Sequence, residues 1–79
     1  MNKTLYNKAH KFLITRLVAA REEARMDPGE AARRINCTRA FMERAENGEE
    51  KLDAIRLKEL ADLYKKDINF FLLPDSKKK

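Results

Sequence analysis

Apolar residues recur three and four positions apart through most of this chain, the spacing of helices that each bury one face. Leu13, Leu17, Ala20 and Ala24 form the core stripe of a long first helix, expected from Thr4 or Leu5 to Arg25, with Met26 covering the core as the chain turns. A second stripe, Tyr6, His10, Ile14 and Val18, runs beside it. It leaves two readings open: packing against the C-terminal part of the chain, or a surface shared with a second copy.

The pattern then shortens. Asp27, with Glu30 three residues on and Pro28 at the first helical position, marks a new helix start. Ala31, Ala32 and Ile35 give its apolar face, while Arg33 and Arg34 point elsewhere. A helix ending near Ile35 has about two turns and depends on tertiary contacts. After the turn Ile35-Asn36-Cys37, Thr38 caps a helix expected from Arg39 to about Glu46. Phe41, Met42 and Ala45 face inward there, and Arg39, Ala40, Glu43 and Arg44 face outward. Asn47-Gly48 ends it, because both residues tolerate the left-handed backbone that closes helices.

Beyond a loop anchored by Leu52, Asp53 caps a fourth helix over 54–65, whose Ile55, Leu57, Leu60, Ala61, Leu63 and Tyr64 predict extensive burial. Asp67 caps a short final helix carrying Ile68, Phe70, Phe71, Leu72 and Leu73, which Pro74 stops. Residues 75–79 read as a disordered basic tail, so the domain is placed at 1–74. The expected fold is therefore all-α: a compact five-helix bundle with an extended first helix.

Composition sharpens this. At 79 residues the chain makes one small domain that buries only about 60% of its unfolded surface. Two glycines, two prolines and no alternating β-branched run argue against a sheet. A net charge of +5 and a pI near 9.6 suit a polyanionic partner. The single cysteine excludes an internal disulfide, and the absence of a signal peptide or apolar span sets the expected location in the cytoplasm.

Two short helices joined by a tight turn expose the first side chains of the second helix, where they can enter a DNA major groove. The stretches LVAAREEARMDPGEAARRINCTRAFMERAENGE and LKELADLYKKDINFFL carry a resemblance to the lambda-repressor-like, Cro/Xre family of helix-turn-helix domains. It spans Leu13 to Leu72, and its most specific parts are Glu-Asn-Gly at 46–48 and the closing Asp-Ile-Asn-Phe-Phe-Leu. The resemblance implies a lambda-repressor-like bundle and base reading by Arg39, Ala40 and Arg44. It further implies an ion pair between Arg21 and Glu46 that fixes the angle between the first and third helices and leaves an edge of Arg21 near phosphate. Thr38, Asn47, Lys51 and Arg33 join Arg21 as expected phosphate contacts. The chain departs from the family at Pro28, usually a phosphate-gripping glutamine, and in an acidic loop where Glu49, Glu50 and Asp53 outnumber Lys51.

Catalysis finds no support. His10 is the sole histidine and has no metal-ligand spacing with cysteine or carboxylate; Cys37 reads as core; two glycines cannot build a phosphate-cradling loop. No enzyme activity, cofactor or metal is expected. The leading reading is a sequence-specific transcription regulator, a dimeric repressor on a palindromic stretch of double-stranded DNA. Phe70, Phe71, Leu72 and Leu73 are its expected dimer interface. Two alternatives stand beside it: the antitoxin of a toxin–antitoxin pair, with a toxin as protein partner, and an interaction module that has lost DNA binding. No membrane partner is expected.

Overall fold

The computed structural model describes residues 8–72. Four α-helices follow one another: α1 (Lys8–Glu23), α2 (Pro28–Arg34), α3 (Arg39–Asn47) and α4 (Ala54–Tyr64). A 3-10 turn, Ile68–Phe71, comes last, and no strand occurs among the described residues. The expected count of five helices is thus corrected to four. Asp67 explains the difference: its carboxylate accepts from the N–H of Asn69, two residues on, at 2.8 Å. The caps of α2, α3 and α4 accept from the third residue on. The tighter loop starts the backbone on the 3-10 path, continued by Phe70 N–H donating to Asp67 O at 2.9 Å. Thr4, Leu5, Tyr6, Leu73, Pro74 and the tail 75–79 lie outside the described residues, and with them the expected start of the first helix and the boundary at 74.

Side-chain caps open three of the helices, as their sequences predict. Asp27 accepts from Glu30 N–H at 2.8 Å, Thr38 from Phe41 N–H at 3.0 Å and Asp53 from Arg56 N–H at 2.8 Å. The first of these bonds holds the Asp27 carboxyl below the usual carboxylate range. All four helices close alike, with paired backbone bonds to carbonyls three and five residues back. Only one uses glycine at the left-handed position, Gly48 (φ 86°); the others place Arg25, Asn36 and Lys65 there, with φ near 60°. Arg25 in that conformation ends α1 two residues before the expected limit.

Alanines bring the helices close. Ala20, Ala31, Ala32, Ala45 and Ala61 are all buried, and Leu17, Met42, Leu60 and Phe71 fill the space they leave. α2 packs against α3, α1 against α3 and the 3-10 turn, and α4 against the same turn. α1 meets the C-terminal segment through residues outside the second stripe, so both readings of that stripe stand. The Arg16 guanidinium sits 4.5 Å from the ring centroids of both Phe12 and Phe70, and its Nη1 donates to the Phe70 carbonyl at 3.2 Å.

Three burial expectations are corrected. Phe71 is fully enclosed by this chain's own core, so it offers no surface to a second copy. Phe70 is half-buried, edge-on to Phe71, and Leu72 alone of the described part of that proposed interface is exposed. His10, placed on the second stripe, is buried with the core stripe, because it lies seven residues, two helical turns, before Leu17. Ile55 is 73% exposed. The buried stripe of α4 is Leu57, Leu60, Ala61 and Tyr64, and a residue two before Leu57 falls on the opposite side of the helix.

Candidate nucleic-acid interface

α3 presents the expected row. Arg39, Ala40 and Arg44 are exposed on one side of it, while Met42 and Ala45 enter the core on the other. Position in the helix dictates this: 42 and 45 are separated by three residues and share a face, and 40 and 44 share the opposite one.

Two arginines, one in an ion pair and one over an aromatic ring, tie α3 to its neighbours. Arg21 on α1 donates from Nε to Glu46 Oε2 at 2.8 Å and from Nη2 to Glu46 Oε1 at 3.0 Å. Its Nη1 donates to the carbonyl of Met26 at 2.9 Å, tying the α1–α2 connection into the same node. The side chains are 13% and 9% exposed, so the fork–fork pair is largely shielded from water. The hydrogen bond to Glu46 raises the Arg21 pKa above its usual value. With three donors engaged and little of its surface open, Arg21 positions helices; the phosphate-facing edge expected of it is small.

Sequence reasoning missed the second contact. Arg56 on α4 donates from Nη1 to the Ile35 carbonyl at 2.6 Å and to Glu59 Oε1 at 3.0 Å, with its guanidinium 5.6 Å from the Phe41 ring centroid. It ties the end of α2 and the inner edge of α3 to α4. The signal was available in principle, since the last carbonyls of a seven-residue helix need donors from outside it.

The remaining candidates divide. Thr38 is committed to capping α3, its hydroxyl oxygen accepting from Phe41 N–H. Arg33, Asn47 and Lys51 are exposed. Cys37 packs half-buried against the core, and burial pushes its thiol pKa up. That leaves it protonated, hence a poor nucleophile, near neutral pH.

Charge on the outer row is not free. Arg39 Nε donates to Glu43 Oε2 at 2.9 Å, a bond that raises the Arg39 pKa, and Arg44 Nε donates to Glu50 Oε1 at 3.3 Å. Each arginine expected to read bases therefore already holds a carboxylate. Such exposed pairs are worth at most about 1 kcal/mol and can open to a competing anion. Beneath α3, the Tyr64 hydroxyl is buried with no hydrogen-bond partner among the described residues. Burial, with Glu46 nearby, raises its pKa.

Among the described residues no helix is long and apolar enough to cross a membrane, and no group of three or more His, Cys, Asp or Glu side chains could hold a metal. Comparison with known protein families, curated proteins and solved structures finds no match.

Proposed function

We propose that this chain is a small sequence-specific DNA-binding transcription regulator of helix-turn-helix type, acting as a homodimer on a palindromic operator. One observation carries the reading: a solvent-facing row of Arg39, Ala40 and Arg44 on a helix whose inner edge is pinned by a shielded bidentate ion pair to α1. A helix that inserts into a groove needs both parts, side chains that can donate to base edges and a base that does not rotate on contact. The net charge of +5 supplies the long-range attraction. The lambda-repressor-like assignment, the repressor role and the two-fold assembly belong to the same proposal. The exposed apolar residues Leu72 and Ile55 are the surface such a dimer would draw on.

The test is fluorescence-anisotropy titration of the duplex upstream of the chain's own gene, with scrambled competitor, at low and physiological salt. Binding that resists the competitor and weakens as salt rises is expected. Equal affinity for scrambled duplex, or no binding at either salt, would favour the alternative of an interaction module on the same fold that has lost specific DNA binding.

A further inference from the structure

Glu43 stands on a face proposed for a polyanion, where a lone carboxylate weakens binding. It lies one helical turn beyond Arg39, both side chains are exposed, and the two are joined by the 2.9 Å bond from Arg39 Nε. An exposed pair of this kind adds little to the helix itself, so its value has to be sought in what the two groups present together.

The bond uses one edge of the guanidinium. Nη1 and Nη2 have no acceptor among the described residues and remain as two donors next to a carboxylate that can still accept. On its other side the guanidinium passes the first turn of α2, where a Cβ on Gly29 would stand 3.5 Å from Nη1, while the Arg39 side chain as a whole is 61% exposed. Asp27, whose own carboxylate is committed to the Glu30 N–H, adds attraction from that side. While that bond is closed, the pair presents a short array of two donors followed by one acceptor.

We infer that Arg39 and Glu43 read a base pair as one unit, with Glu43 as the specificity-determining residue that accepts from a cytosine amino group while Arg39 donates to its guanine. The inference rests on the DNA-binding proposal. In the major groove a G·C pair offers acceptor, acceptor and donor in order: guanine N7, guanine O6 and the cytosine N4 amino group. Two donors followed by an acceptor is the complement. An A·T pair offers acceptor, donor, acceptor, which sets the adenine amino group against arginine and thymine O4 against the carboxylate. A C·G pair presents the G·C order reversed. Three of the four pairs thus leave at least one group of the array facing its own kind, and Glu43 acts as much by rejecting them as by binding the fourth.

The experiment is selection from a pool of random duplexes with the full chain and with Glu43→Gln, followed by competition between duplexes that differ only at the selected G·C pair. Wild type is expected to fix one G·C pair in each half-site. Glu43→Gln, whose amide can donate as well as accept, should lose about tenfold in discrimination at that pair while keeping its circular dichroism. Loss of the negative charge alone raises affinity for every duplex together, so the ratio between duplexes is the readout. A Glu43→Gln protein that keeps the same ratios would overturn the inference, as would a wild-type site without an invariant G·C pair. Wild type that enriches no sequence would overturn the DNA-binding proposal itself, and this inference with it.

Discussion

Replacing Glu46 tests whether α3 is held by charge or by apolar packing alone. In Glu46→Ala, Arg21 loses the acceptors of two short bonds, keeps the Met26 carbonyl, and stays in a place where its side chain is only 13% exposed. Orphaning one partner of a buried pair costs about 3–5 kcal/mol. The residual exposure of Arg21 lets some water return, which puts the expected loss near the lower end, about 3 kcal/mol. A domain of 79 residues has roughly 4–12 kcal/mol of stability in total. The melting temperature should therefore fall by about 12–24 °C. Urea and thermal unfolding followed by circular dichroism at 222 nm measure it. The double variant Arg21→Met with Glu46→Leu removes both charges and should recover most of the loss, because no unpaired ion remains. A single-variant loss below about 1 kcal/mol, or a double variant no better than the single, would refute the argument and reduce the pair to surface charge.

Three further substitutions have expected outcomes. Tyr64→Phe deletes a buried hydroxyl that has no partner among the described residues, so stability should hold or rise by about 1 kcal/mol; a clear loss in urea titration would mean the hydroxyl is bonded. Because burial raises the Tyr64 pKa, the folded form keeps a proton that the unfolded form releases near its ordinary value of about 10. Its contribution is complete below that pH and is lost as pH rises beyond it, and Tyr64→Phe should flatten that part of the stability profile. Phe71→Ala should cost about 3–5 kcal/mol through the cavity it leaves; an unchanged melting temperature with a weakened dimer in sedimentation would restore Phe71 to an interface. Glu50→Gln frees Arg44 and removes an anion from the proposed DNA face, so affinity for duplex should rise by up to about fivefold at low salt; unchanged or weaker binding would place Arg44 away from DNA.

Much of this architecture could be read from residue spacing. Asp27, Thr38 and Asp53 cap helices where their positions say they should, because a cap is a local bond between near neighbours. Ala31, Ala32, Met42 and Ala45 are buried for an equally local reason, the period of a helix. What resisted reading depends on contacts made across the fold. Arg56 gives no local sign that it will reach the end of α2, twenty-one residues earlier in the chain. The enclosure of Phe71 follows from the packing of the 3-10 turn against both α1 and α4, which a run of four apolar residues does not reveal. The outer row on α3 was legible as a row, but its pairing with Glu43 and Glu50 was not, since i,i+4 spacing permits such bonds without requiring them.

The helix ends have a bearing on how the chain folds. Arg25 and Lys65 occupy a backbone region that most L-residues enter at a cost of about 1–2 kcal/mol each, and Asn36, which tolerates it better, shares it. Their turns are consequently not nucleation sites; they form when the helices on either side are already docked. α2, seven residues long, is equally unable to persist alone. Acquisition of structure should then be a single all-or-none event, with no stage at which α2 and α3 exist as a working pair, and a synthetic peptide covering 26–48 should give the circular dichroism of coil. A cavity cut at Phe71 would on this view silence the distant outer face of α3 without touching it, by lowering the fraction of molecules in which that face exists.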